Sequence, residues 1–245
     1  MRAREYHIMY EVELTHWWFI SRRAFLAVVF RALGVKTGGS LRIADIGAGT
    51  GGMYAFLSQY GRVVGIEPHP LGRMYARKRH MPIFFGKAEA TGLKTNSLDM
   101  VCSLDVLYHK GIHDDRVFAE AYRVLRHGGL LVITVCAIPW LVGPHDQAVS
   151  ARKRYILSDL VTEVRESGFD ITKQTYTYFF LFPLFVLKIA WGRVFIQGMP
   201  ERSDVAPLRN SWNAFLSSVC GVEASLLSTI SYPWGSSLLL VAKKP

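Results

Sequence analysis

The segment Ala44-Asp45-Ile46-Gly47-Ala48-Gly49-Thr50-Gly51 narrows the folds open to this chain more than any other. Leu41 to Ile46 reads as a buried strand that ends in the glycine cluster, and the pattern after it predicts a helix from Met53 to Tyr60. Between them, Gly47, Gly49 and Gly51 let the backbone turn tightly and bring its amides against a ligand. A strand, a glycine turn and a helix in that order are the opening unit of an α/β fold.

The rest of the chain continues the alternation. Strands are expected at Arg62 to Ile66, Pro82 to Phe85, Leu98 to Leu104 and Leu130 to Cys136, with helices at Leu71 to His80 and Asp114 to Arg126 between them. Alternating strands and helices predict a parallel sheet with helices on both faces. Arg4 to Leu33 reads as two helices carrying His16-Trp17-Trp18-Phe19 and stopped by Gly34. Beyond Pro139 the expected order is a polar loop to Arg154, a helix at Leu157 to Ser167, a strand at Ile171 to Tyr176, an aromatic stretch at Tyr178 to Ile196, a helix at Ser211 to Ile230 and a last strand at Ser236 to Ala242. One domain over 1–245 accounts for this: a helical cover (1–36), a cofactor-binding core (37–138), and a part for the substrate loop, the apolar segment and the last strand (139–245).

The glycine loop is compatible with two cofactors. Gly47-x-Gly49-x-x-Gly52 also satisfies the dinucleotide fingerprint, and Glu67 follows about 20 residues later, where a ribose-binding acid belongs. Asp45 argues against that reading: a carboxylate beside the loop repels a pyrophosphate and suits a cationic amino-acid ligand. Glu67, after Val63-Val64-Gly65-Ile66, is placed to accept from both ribose hydroxyls.

At these residues the chain resembles class I S-adenosylmethionine-dependent methyltransferases, particularly the type 11 group. Ala88-Glu89-Ala90, Asn96-Ser97-Leu98-Asp99-Met100-Val101 and Arg123-Val124-Leu125-Arg126-His127-Gly128-Gly129 are similar to that group's later motifs. The resemblance implies S-adenosyl-L-methionine as cofactor and a Rossmann-like, mostly parallel seven-stranded sheet with helices on both faces and its last strand antiparallel. The site it implies comprises Asp45, Gly47, Ala48, Gly49 and Gly51, with Glu67, Pro68, Ala88, Glu89 and Leu104 at the ribose and adenine. Lys87 departs from the pattern, standing where many relatives carry an acid toward the adenine amino group.

Both flanks resemble a bacterial subgroup linked to glycan or cell-surface biosynthesis. In Glu13-Leu14-Thr15-His16-Trp17-Trp18-Phe19-Ile20-Ser21-Arg22-Arg23, Trp18 and Arg22 are candidates to shield the cofactor's sulfonium and engage its carboxylate, while Trp17 equally serves as a staple of the cover. The loop Gly143-Pro144-His145-Asp146 and the later Lys153-Arg154-Tyr155 match the subgroup's His-Asp and Arg-Tyr pairs, although Ala151 stands where relatives commonly have a second histidine. The ending Tyr232-Pro233-Trp234-Gly235-Ser236-Ser237-Leu238 is also similar.

Methyl transfer needs an aligned acceptor and, for a hydroxyl, a base. His145 is the first candidate, His109 in Leu104-Asp105-Val106-Leu107-Tyr108-His109 the second, and Asp146 the group that would orient His145. Tyr108, Tyr155 and Arg154 are expected to line the acceptor pocket. The acceptor class that follows is a small molecule, a saccharide or a lipid-linked saccharide, methylated at oxygen. Two other readings stay open at this point: a catalytically silent cofactor-binding protein of the same fold, and an NAD(P)-dependent oxidoreductase.

Lysine and arginine outnumber aspartate and glutamate by 29 to 19, a net charge of +10, which calls for an anionic partner. The basic residues lack the aromatic interleaving of a nucleic-acid platform, which leaves a membrane surface or a phosphorylated substrate. Tyr178 to Leu187 is free of charge but is cut short by Lys188, below the ~18 apolar residues of a span, so 178–196 reads as a core helix, a pocket lid or a peripheral membrane contact. The odd and scattered Cys102, Cys136 and Cys220 suggest neither disulfides nor a metal site, and a cytoplasmic location, at most at the inner face of the membrane, is expected.

Overall fold

The computed structural model describes residues 3–195, Val205 and 208–245, with backbone alone at 144, 145 and 192–195. Two helices, α1 (Ala3–Val12) and α2 (Trp17–Ala32), precede β1 (Leu41–Ile46), α3 (Tyr54–Leu57), β2 (Gly61–Ile66), α4 (Pro70–Lys78), β3 (Ile83–Phe84), β4 (Leu98–Leu104), α5 (Asp114–Val124) and β5 (Leu125–Cys136). A 3-10 turn (Pro139–Leu141) and α6 (Pro144–Ala148) follow, then α7 (Leu157–Glu166), β6 (Asp170–Thr177), α8 (Phe182–Phe195), α9 (Asn210–Leu226) and β7 (Ser237–Lys243). The strands form one sheet in the order β3-β2-β1-β4-β5-β7-β6, with β7 antiparallel to both of its neighbours.

Strand periodicity divides the core between the two faces of the sheet. Ala44 and Ile46 of β1, with Leu238 and Leu240 of β7, pack toward α5 and α7 around Phe118 and Leu160. Ile43 of β1, with Leu239 and Val241 of β7, packs the other way onto Phe25, Leu26 and Phe30 of α2 and Cys220 of α9. Each fully buried Leu or Phe here contributes on the order of 2 kcal/mol of apolar transfer energy.

Local chemistry explains the boundaries. The His16 imidazole caps α2 by accepting from the Trp18 amide at 3.3 Å, and Gly34, at φ 75°, closes the same helix with the Val35 amide bonded back to Phe30 O at 2.8 Å. α3 is much shorter than the helix expected over Met53 to Tyr60. Residues 58–60 are a turn, and the chain re-enters the sheet at Gly61, where a Cβ would stand 2.0 Å from the Leu41 carbonyl oxygen. β5 begins at Leu125, earlier than the expected Leu130, because Gly128 and Gly129 continue the ladder against Lys244. The loop expected between Pro139 and Arg154 contains α6, started where Asp146 Oδ2 accepts from the Gly143 amide at 2.8 Å.

Candidate functional site

A cavity of about 420 Å³ opens above the carboxyl ends of β1, β2 and β4, where crossover helices lie on opposite sides of the sheet. Its floor is the glycine turn. Gly47 adopts φ 71°, and a Cβ there would lie 2.5 Å from Val106 Cγ2; Gly49 adopts φ 54° under Met9 of α1. Gly51, at φ 81°, packs on Ala76 of α4 rather than on the cavity, so it shapes the turn without facing a ligand.

Five carboxylates line this cavity, those of Glu5, Glu13, Asp45, Glu67 and Asp105. Asp45, at the end of β1, is buried, and desolvation pushes its pKa up to about 7 against the opposing pull of the Arg22 cation, with Glu13 and Glu67 adding to the rise. Glu67 Oε2 accepts from the Gly49 amide at 2.9 Å, and Oε1 accepts from the His69 amide at 2.9 Å and the Tyr6 hydroxyl at 3.2 Å. Oε1 is thereby filled, so the expectation that Glu67 takes both ribose hydroxyls narrows: Oε2 alone keeps acceptor capacity while Tyr6 stays in place. Glu13 accepts from Thr50 and Arg79 and fills the space a side chain at Gly52 would need. Burial raises its pKa, opposed chiefly by Arg79.

The N-terminal cover forms the roof. Tyr6 stacks on His69, with ring centroids 4.4 Å apart, and Met9 and Glu13 close the glycine loop from the same helix. From α2 come Trp18, Phe19 and Arg22. Arg22 reaches down to Asp105 at the end of β4, Nη1 to Oδ2 at 2.7 Å, and its guanidinium lies 5.2 Å from the Phe19 ring centroid. Trp18 lines the cavity edge while stacking on Tyr178 at 4.1 Å, and Trp17 is buried against Tyr178 and Phe185, as a staple of the cover should be.

Across the cavity stand Pro68, Ala88 and Leu104 at one side, and Tyr108 and His109 at the other. Glu89 is turned away and accepts from the His113 amide at 3.1 Å; Lys87 is exposed in a turn beside Ala90. The loop after β5 reaches His109 by pairing with the loop after β4: His109 and Ala151 form an antiparallel bridge, and the Arg152 amide donates to Tyr108 O at 2.6 Å. His109 Nδ1 lies 2.9 Å from Val149 O. A carbonyl only accepts, so Nδ1 carries the proton and the neutral ring keeps its lone pair on Nε2.

Three of the expected residues are not among those lining the cavity. Asp146 does not stand on the cavity wall: its two oxygens accept from Arg154 Nε and Nη2 at 2.8 and 2.9 Å, a buried bidentate pair. Arg154 is consumed in the same pair and in a 3.2 Å bond to Ala137 O. Tyr155 is packed in the core below α5, with its hydroxyl donating to Asp114 at 3.0 Å. These residues clamp the loop after β5 to the sheet. The His145 side chain lies outside the described residues. Conversely, Tyr6, Met9, Glu13, His69 and Asp105 line the cavity without having been expected there. The signals were Glu13, the acid heading the quoted aromatic segment, and Asp105, first after β4 and held at φ 61°.

Among the described residues no group of three or more His, Cys, Asp or Glu could hold a metal ion. Residues 44–133 match the family model of a methyltransferase domain, which runs from β1 into β5 and includes the glycine turn, Glu67 and His109. No curated protein matches the chain by sequence. Among solved structures, a methyltransferase from Thermotoga maritima described as a possible histamine N-methyltransferase is 20% identical, with 98% of this chain and 99% of that one covered and a TM-score of 0.59. A geranyl diphosphate methyltransferase solved with S-adenosylmethionine is 15% identical over 92% of this chain and 85% of that one, with a TM-score of 0.59. A 4+2 cyclase is 19% identical over 92% and 81%, with a TM-score of 0.56. These likenesses show a shared fold, on which more than one chemistry is built.

Proposed function

Since residues 44–133 carry a class I methyltransferase domain, whose methyl donor is S-adenosyl-L-methionine, we propose that this chain methylates an oxygen of a small-molecule, saccharide or lipid-linked acceptor seated beside Tyr108 and His109. The observation that carries the reading is continuity: one cavity joins the glycine turn and its carboxylates to the wall holding His109.

The residues fit the donor. Asp45 offers a buried carboxylate to an ammonium group, and Arg22, already beside it, offers a cation to the carboxylate of the same amino-acid end. Glu67 Oε2 faces the ribose position, and Pro68, Ala88 and Leu104 supply an apolar wall for a base. A dinucleotide would place its pyrophosphate against Asp45 and Glu13, which disfavours a nicotinamide cofactor. When bound, the sulfonium supplies a methyl carbon already activated toward displacement, so no protein nucleophile is needed.

What remains for the protein is alignment and proton removal. Val149 fixes the His109 tautomer, and Nε2 is the atom that takes the acceptor's proton. The buried Tyr108 orients the acceptor on the same wall. The working compartment is the cytoplasm, where the buried free thiols Cys102, Cys136 and Cys220 stay reduced, with peripheral contact to the inner face of the membrane through 178–196.

Calorimetric titration with S-adenosylhomocysteine tests the donor half of this reading: saturable binding is expected, and none would end it. Transfer of a labelled methyl group into cell extract, repeated with His109→Gln, tests the rest. The variant is expected to bind S-adenosylhomocysteine normally and to lose about a hundredfold in rate. An N-methylated product would overturn the assignment to oxygen.

A further inference from the structure

We propose that α8 and α9 together form a docking surface for an anionic lipid bilayer, and that the enzyme works while resting on it. α8 is mostly apolar, a composition ordinarily buried, yet Leu184, Leu187 and Trp191 are 56%, 65% and 63% exposed. They recur at i, i+3 and i+7, so they share one face. α9 repeats the arrangement. Trp212, Phe215, Val222 and Leu226 are exposed and fall within about 80° of one another around a helix of 100° per residue.

The two helices are anchored on the same point of the cover. Phe185 of α8 stacks on Trp17 at the start of α2, with centroids 6.3 Å apart, and Asn213 of α9 accepts from the Trp17 amide at 2.7 Å. The loop after β5 adjoins α8, where Trp140, itself 55% exposed, packs edge-on against Phe182.

Charge selects the occupant. α8 has Lys188 and Arg193 as its charged residues, α9 is preceded by the exposed Arg209, and the one acid in either helix, Glu223, is buried. Glu223 is used internally, accepting from the Phe180 amide at 3.2 Å. An exposed surface of tryptophan, phenylalanine and leucine, accompanied by cations and with no exposed acid among the described residues of either helix, matches the headgroup region of an anionic leaflet. A second copy of the chain fits poorly, because the described residues of the two helices would bring the same cations and no exposed acid to the interface, on molecules each carrying +10. Among the described residues no helix is long and apolar enough to cross a membrane, so the contact is in the plane of the surface. Trp18, which lines the cavity, packs edge-on against Phe185 of α8 with ring centroids 6.3 Å apart, so the cavity adjoins this surface.

The inference extends the lipid-linked acceptor reading, and its test does not depend on that reading. Co-sedimentation with phosphatidylcholine vesicles, with and without phosphatidylglycerol, is expected to show binding that needs the anionic lipid and weakens with salt. Leu187→Asp with Trp191→Asp, and separately Trp212→Asp with Phe215→Asp, are each expected to lower partitioning by about tenfold or more. Both pairs are solvent-exposed, and unchanged S-adenosylhomocysteine affinity shows that the variants are folded with the cavity intact. Failure of the wild-type chain to bind anionic vesicles overturns the proposal, as does binding that both variants retain. A dimer in light scattering that Trp191→Asp dissolves would assign the surface to a second copy instead. Loss of S-adenosylhomocysteine binding by the wild type would strike the methyltransferase reading and leave the vesicle result standing.

Discussion

Arg22 and Asp105 form the joint between the helical cover and the sheet: Nη1 donates to Oδ2 at 2.7 Å with both side chains largely withdrawn from solvent, at 11% and 16% exposure. Burial disfavours the guanidinium's charge, but Asp105 together with Tyr178, Glu13 and Asp45 outweighs it and holds its pKa above the usual value. Arg22→Ala removes the cation and leaves Asp105 buried. The expected loss is about 3 kcal/mol or more of stability, a fall of roughly 6–12 °C in Tm, measured by thermal unfolding. A fall under 2 °C would show that the pair does not hold the cover.

Gly47 meets two obstacles to any side chain, its φ of 71° and the 2.5 Å approach of Val106 Cγ2. Gly47→Ala is expected to weaken S-adenosylhomocysteine at least tenfold in calorimetry. Adding Val106→Ala removes the clash while leaving the conformational cost of about 1–2 kcal/mol, so recovery is expected to be partial. Full recovery would mean that backbone conformation at this position does not matter.

Asp45 makes a prediction about pH. Its carboxyl titrates near 7 in the folded chain and near 4 when unfolded, so between those values the native state binds the extra proton. Its contribution to stability is therefore greatest below about pH 4 and falls as pH rises through 7. The ligand's ammonium group beside Asp45 favours the ionised form, so S-adenosylhomocysteine should bind more tightly as pH rises from 6 to 8, with proton release visible as a buffer-dependent heat. In Asp45→Asn that pH dependence is expected to vanish. An unchanged slope would assign the titration to another group.

Asp146 and Arg154 were expected near the chemistry and are found gripping each other. If Asp146 oriented a base, Asp146→Asn would cost rate and spare the fold. The bidentate pair predicts the reverse: single alanine variants at either position lose about 3 kcal/mol, and the double variant loses much less than their sum. Chemical denaturation of the cycle decides between the two.

Much of this was legible along the chain because it is local. Periodicity and glycine placement located β1 and β4 to the residue, and the alternation of strands and helices implied the sheet. Asp45 and Glu67 could be picked out because each sits at a strand end, where a parallel sheet opens its cleft, and Ala88 because its motif is similar to the family's. Short elements such as α6 and the truncated α3 could not be read, since their limits come from what they pack against.

The same contrast governs the site. Sequence alone determined the glycine turn and its neighbouring acids, because backbone conformation and charge at adjacent positions are properties of a few consecutive residues, while the cofactor followed from the resemblance those motifs carry. Only tertiary structure decided which partners those groups have. Tyr6 reaches Glu67 across 61 positions, Arg22 reaches Asp105 across 83, and Asp146 turns from the cleft to a nearby arginine. A carboxylate looks the same in sequence whether it faces a ligand or an arginine. The choice is made by burial, which allows no charge to remain unpaired and is known only once the chain has closed on itself.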